Sequence, residues 1–191
     1  MLKIHARHKA KNRGFSLVEM LVAVSIFAIV MVVSVGTLIV LVTSSGVTQR
    51  IQSLATNLSF AMDMMTRDIR TGYDYYCTSS ISGTLNSGTN NCADGESGII
   101  FTNSETDDRT AYRFNSSNGS LELRIDSGSW IRLTSSEVII EDAKFYVTGS
   151  TRGDGVQPQV RVLVRGTPTN TTFQVSTFYL QSTLTQRIID F

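Results

Sequence analysis

Histidine and cysteine, the side chains on which most nucleophilic and metal chemistry depends, are scarce in this 191-residue chain, and their placement excludes much of that chemistry. The only histidines, His5 and His8, lie in a basic N-terminal stretch with Lys3, Arg7, Lys9, Lys11 and Arg13. If that stretch is removed, no Ser-His-Asp triad, Cys-His pair or His-ligated zinc site can form. Two cysteines, Cys77 and Cys92, are too few for a four-thiolate metal site. Asp107, Asp108 and Asp154 could offer oxygens to calcium, but they lack the spacing of an EF-hand and read as solvated loop acids. No catalytic residue, cofactor site or metal site is expected, so the chain reads as a non-enzyme. The unusual carboxylate is Glu19. It stands at the start of a long apolar run, where an ionised group is costly unless it is paired or lies at headgroup level.

Composition fits a folded protein: 41% of residues are hydrophobic and 17% charged. The formal net charge of +1 hides an asymmetry. Residues 1–14 hold five basic side chains and no acid, while the rest hold 12 basic against 16 acidic, a net charge of −4. Arg161 and Arg165 could touch DNA. That negative balance, and the lack of a stripe of basic and aromatic residues, leave nucleic acid unsupported as a partner.

The elements that must position Glu19 begin with the run itself. Residues 20–49 carry no charge, and Met20–Val42 is the densest part at 23 residues. As a helix it would span ~34 Å, enough to cross a hydrocarbon layer of ~30 Å. Buried core helices are usually shorter and show a polar stripe. Five basic residues precede the run and Arg50 is the first charge after it, so the N-terminus is expected in the cytoplasm and the C-terminal part outside. A cleaved secretory signal would have a shorter apolar stretch and a small-residue cleavage site after it.

Immediately before the run stands Arg13-Gly14-Phe15-Ser16-Leu17-Val18-Glu19. With the basic leader and the apolar run, residues 11–42 resemble the class III signal of type IV prepilins and type II secretion pseudopilins. The resemblance implies that a prepilin peptidase/N-methyltransferase cuts on the cytoplasmic side after Gly14 and methylates the new N-terminus at Phe15. It implies a structural subunit, a minor pilin or pseudopilin, whose partners are the lipid bilayer, the inner-membrane assembly platform and other pilin or pseudopilin subunits. Its place would be the inner membrane first and an extracytoplasmic filament after assembly. Glu19 then gains an assembly role, because the cationic amine of Phe15 on one subunit can neutralise Glu19 on its neighbour in a low dielectric. The alternative is a single-pass, membrane-anchored binding or adhesion module that never assembles.

Beyond the run, Ile51, Leu54, Leu58, Met62, Met65 and Ile69 recur at helical spacing, and no proline interrupts residues 15–72. One helix is predicted from about Phe15 to Arg70, with Gly72 as its stop. Its first half would be transmembrane and its second half amphipathic. Gly36 and Ser44-Ser45-Gly46 are its weak points. Residues 73–96 read as a loop rich in Ser, Gly, Thr and Asn, closed by a Cys77–Cys92 disulfide that the oxidising side of the membrane would preserve. Residues 97–191 read as a β-rich domain. Strands are predicted at 97–102, 110–114, 120–125, 130–133, 138–147, 159–164 and 172–184, the last an inner strand or one under the helix. The predicted fold class is α+β and pilin-like: a long N-terminal helix packed on an antiparallel β-sheet domain. Met64–Arg70, just before the Cys77 loop, is similar to the helix end of J-type pseudopilins and W-type minor pilins.

Gly14 is small and directly precedes Phe15, the expected cut site. Replacement by Val is expected to leave an uncut, membrane-bound precursor, visible as the larger species on a denaturing gel. Processing of Gly14→Val at the wild-type rate would remove Gly14 from this role.

Overall fold

The computed structural model describes residues 14–169 and 177–187. The chain divides into two compact units, Met1–Thr48 and Gln49–Phe191. Among the described residues, one helix, α1 (Leu17–Thr71), is followed by nine strands in two antiparallel sheets, which is the α+β arrangement of a long apolar N-terminal helix and a sheet domain. The helix runs through Gly36 and through Ser44-Ser45-Gly46 without interruption.

The first sheet has five strands in the order β1-β3-β4-β5-β6: β1 (Tyr73–Thr78), β3 (Gly98–Thr102), β4 (Arg109–Asn115), β5 (Ser120–Ile125) and β6 (Ile131–Arg132). The second has β2 (Cys92–Glu96), β7 (Val138–Thr148), β8 (Gln159–Pro168) and β9 (Phe178–Thr185), in the order β2-β7-β8-β9. Several expectations change here. Residues 73–96 hold two strands, one in each sheet, besides a loop. β8 continues to Pro168, into what read as a connection. The expected strand 172–184 is observed as β9; its part at 172–176 lies outside the described residues. Among those described, β9 is the last strand of its sheet rather than an inner one. Phe178 and Leu180 on one part of it pack partly against the core, which accounts for its apolar character.

The core of the second unit is built from alternation. Val160, Val162 and Val164 on β8 point inward, while Gln159, Arg161 and Arg165 between and beside them face out. From the helix come Leu54, Leu58, Ala61, Met65 and Ile69, all buried, each large one worth ~1.5–3 kcal/mol. The four large ones meet Phe101, Tyr112, Leu121 and Phe145 from the two sheets. The buried stripe therefore runs through Ala61, which is too small to register in an apolar pattern. Ile51, expected on the stripe, is exposed, and Met62 is partly buried.

Two tyrosines join the helix end to the first sheet. The buried Tyr75 hydroxyl lies 2.7 Å from the carbonyl oxygens of both Ile69 and Gly72 and donates its proton toward them. Tyr112 donates to Asp68 at 2.6 Å. Burial raises both phenols well above their ordinary range, and for Tyr112 the Asp68 carboxylate adds to it. The Arg187 N–H donates to the Arg70 carbonyl at 2.9 Å, occupying one acceptor that a helix end leaves open. Gly72 does follow the last helical residue, but its φ is not positive. Glycine is needed there because a Cβ would run into the Phe101 ring.

The β4–β5 turn is pinned by one buried carboxylate. Glu122 accepts from Asn115 at 2.8 Å, Asn118 at 3.0 Å and Arg113 Nε at 2.8 Å, and Arg113 Nη2 closes an ion pair at 2.7 Å. Burial alone would raise its pKa. The hydrogen bonds from Asn118, Asn115 and Arg113, with the Arg113 charge, outweigh burial and hold it below the usual carboxylate range. A group depressed on folding stabilises above its unfolded pKa, about 4.3 for Glu, and loses that contribution as pH falls through its folded value. Wild type is thus expected to lose stability on acidification below about pH 4.3, with a smaller loss in Glu122→Gln, which starts from lower stability at pH 7. Denaturant melts across this range check the difference, and parallel pH curves for the two proteins would refute it.

Candidate functional site

The sequence-predicted processing residues sit at the start of α1. Gly14 and Phe15 precede the helix, and the Phe15 side chain is 77% exposed. Ser16 caps it: its Oγ accepts the Glu19 N–H at 3.2 Å and its carbonyl accepts the Met20 N–H at 3.2 Å. Ser16 and Glu19 thus hold the N-cap and N3 positions, the S-x-x-E spacing of a capping box. Glu19 lies in the first turn, where the helix dipole favours a negative charge. Glu19 has no ion-pair partner among the described residues. The residues before Gly14, including His5, His8 and the basic leader, lie outside the described residues.

The rest of the first unit is a helix suited to an apolar solvent. It is the one described helix long and apolar enough to cross a membrane, with a mean hydropathy of 2.8 in its most apolar window. Five of its hydroxyls are satisfied within the helix. Ser25, Ser34, Thr37, Thr43 and Ser45 each donate to the carbonyl four residues back, at 2.7 to 3.0 Å. In lipid each such bond removes a cost that water cannot relieve.

In the second unit, Cys77 on β1 and Cys92 on β2 are bonded, with Cα atoms 5.9 Å apart, so the disulfide ties one sheet to the other. Both sulfurs lie against the Phe145 carbonyl oxygen, at 3.3 and 3.1 Å. A bonded sulfur carries no proton, so these are contacts and not hydrogen bonds. The loop between the cysteines folds over the outer side of the first sheet. Leu85 is buried there against Ile100 and Ala111, with Ile81 and Trp130 beside them. Asn90 donates its side-chain amide to the Cys77 carbonyl at 2.8 Å and its N–H to the Tyr75 carbonyl at 2.9 Å.

Two arginines in the strands below hold the loop by its backbone. Arg124 Nη2 donates to the Gly83 carbonyl at 2.8 Å, and Arg109 Nη2 donates to the Asn86 carbonyl. Arg109 Nη1 also reaches the Thr102 hydroxyl at 2.9 Å and the Asp74 carbonyl at 3.0 Å. Trp130 receives Arg113 at 3.8 Å and Arg124 at 4.8 Å from its ring centre. Sequence reasoning passed over both loop anchors, because only the strand register reveals which arginines lie beneath the loop. Ser16 was missed too, although the S-x-x-E spacing was available to find it.

Other candidates stay apart. Asp107 accepts the Tyr73 hydroxyl, and Asp154 accepts the Val156 N–H at 2.8 Å as a local turn. No group of three potential metal ligands forms among the described residues. Arg165 pairs with Glu141 at 3.4 Å, and Arg161 lies over the Tyr146 ring. The family model described as the prokaryotic N-terminal methylation motif matches residues 9–35, a stretch that contains Gly14, Phe15 and Glu19. No curated protein and no solved structure matches the chain.

The Cys77–Cys92 bond closes a loop of separation 15, worth ~3 kcal/mol in the chain-entropy treatment. A Cys77→Ser, Cys92→Ser double variant is expected to lose stability of that order and to exchange amide hydrogens faster across residues 79–91. In protein collected from the cell surface both sulfurs should resist alkylation until a reductant is added. Two freely alkylated thiols would count against the bond and against an exterior location.

Proposed function

We propose that the chain is a minor pilin or pseudopilin, a structural subunit of a type IV pilus-like filament or type II secretion pseudopilus. The observation that carries this reading is the N-terminal methylation motif over residues 9–35, ending within a charge-free run that starts one residue after Glu19. Prepilin peptidase would remove residues 1–14 and leave a methylated amine on Phe15. The chain would stand in the inner membrane with its N-terminus cytoplasmic, then pass through the assembly platform into the filament. The helix end at Met64–Arg70, ahead of a disulfide-closed loop, favours a J-type pseudopilin or W-type minor pilin.

Assembly needs a device for axial register in an apolar medium, and Glu19 supplies one. Its carboxylate is exposed in the first turn of α1, where a neighbour's Phe15 amine can approach it. Leaving either charge unpaired in lipid is expensive, so one lateral position is strongly preferred over slipped ones. A module that stays in the membrane as a monomer has no use for this pair.

Glu19→Gln keeps the shape and removes the charge. It is expected to be cleaved and methylated normally, as read by the mass of its N-terminal peptide, and to keep a folded β domain. It should be depleted at least tenfold from sheared filaments and accumulate in the inner membrane. Wild-type incorporation of Glu19→Gln would reject the pairing. An unprocessed N-terminus in the wild type would reject the whole reading in favour of a membrane-anchored module that does not assemble.

A further inference from the structure

The outward face of the second sheet carries a prepared guanidinium. The register of β7 and β8 sets Tyr146 opposite Arg161, and the guanidinium lies 4.3 Å from the ring centre. The ring is held flat in turn by β2. Gly95, with φ +79°, lies beneath it, and a Cβ there would come within 2.6 Å of a ring carbon. Only glycine leaves room for the ring in this position, and the left-handed backbone also favours glycine. Stacking on an aromatic face fixes the plane of an arginine and leaves the N–H groups at its edge available. Arg161 makes no hydrogen bond or ion pair among the described residues, whereas Arg165 on the same strand is neutralised by Glu141.

The depression that Arg161 lines holds no other charged side chain and is rich in amides and hydroxyls. Gln159, Gln181, Thr148 and Thr183 line a depression of about 300 Å³ with Tyr146 and Arg161. The side chains of these two glutamines and two threonines are exposed. Gln and Thr both donate and accept, so they match groups that do the same, as sugar hydroxyls do. A planar guanidinium fork matches a carboxylate through two parallel hydrogen bonds. A polyphosphate would need several cations along its path, and the chain after residue 14 is net negative.

We propose that this face, centred on Arg161 stacked on Tyr146, binds a carboxylate-bearing sugar unit of an acidic polysaccharide. Arg161 takes the carboxylate, and the amides and hydroxyls on β8 and β9 take the ring hydroxyls. The site lies within the second unit and does not depend on filament assembly, so it stands or falls apart from the function proposed above.

Calorimetric titration of the full chain in detergent with a galacturonic acid trimer tests it, with a maltose-type neutral trimer as control. The acidic trimer is expected to bind and the neutral one to bind at least tenfold more weakly. Arg161→Gln should lose at least tenfold in affinity. Arg161→Lys should also bind more weakly, because it keeps charge but loses the fork. Arg132→Gln, which removes a cation from the other sheet, serves as the control for net charge and should bind unchanged. Equal binding of the two trimers, no binding at millimolar concentration, or undiminished binding by Arg161→Gln would overturn the proposal. Tighter Arg161-dependent binding of a single-stranded oligonucleotide would overturn it in favour of a phosphate ligand.

Discussion

Every polar group in the apolar run must be satisfied from within the helix, and the organisation of the chain follows from that. A helix with neither proline nor charge from residue 20 to 49 meets the demand, and Ser25, Ser34, Thr37, Thr43 and Ser45 turn their hydroxyls back onto its own carbonyls. The same helix then changes character. Past residue 49 its apolar side chains narrow to the stripe of Leu54, Leu58, Ala61, Met65 and Ile69, and water-facing residues such as Asp63 and Arg67 pair with each other. Glu19 is the exception to the rule, a charge placed where the apolar run begins, and it is there that the methylation motif lies.

The β domain solves a different problem, how to cover both sides of a small five-stranded sheet. One side meets the helix and the second sheet through Phe101, Tyr112 and Leu121. The other is covered by a loop with little apolar mass, chiefly Leu85 and Ile81. Arginine makes up the difference. Arg109 and Arg124 lay their stems on the sheet and offer their ends to loop carbonyls, and Trp130 supplies a face for the Arg124 charge. The arrangement has a cost, since the Nε atoms of both arginines are buried without a partner among the described residues. Desolvation lowers the Arg109 pKa, yet a guanidinium keeps its proton through any ordinary pH. The loop is therefore held by charge-assisted bonds to its backbone, which tolerate almost any side chain among the serines, glycines and asparagines that compose it.

Much of this was legible in the residues. The 23-residue apolar run, the helical spacing from Leu54 to Ile69 and the strands from residue 97 onward depend on local period, and local period survives folding. The limits expected for β5, residues 120–125, are those observed. What escaped depends on partners distant in sequence. β1 and β2 are short, carry Asp, Tyr and Gly as well as apolar residues, and exist as strands because β3 and β7 pair with them. Ala61 is buried by proximity and not by hydrophobicity. The stacking of Arg161 on Tyr146 needs the β7–β8 register, which no stretch of either strand encodes alone. Gly72 reads in the sequence as a backbone stop, whereas the ring of Phe101 is what excludes a side chain there.

The disulfide has a mechanical meaning. It joins β1, the strand that follows the helix, directly to β2 in the other sheet. A load applied through the helix reaches β1 first. If β1 peeled away, an uncrosslinked chain would pay out the residues between the cysteines before β2 felt any tension. With a separation of 15 residues, that slack amounts to ~50 Å of extended chain at about 3.4 Å per residue. The covalent bridge takes this length out of the load path and passes tension straight to the sheet containing β7 and β8, the longest strands of the domain. Under strain the domain would stay short, and the loop that the arginines hold would never be drawn into the line of force.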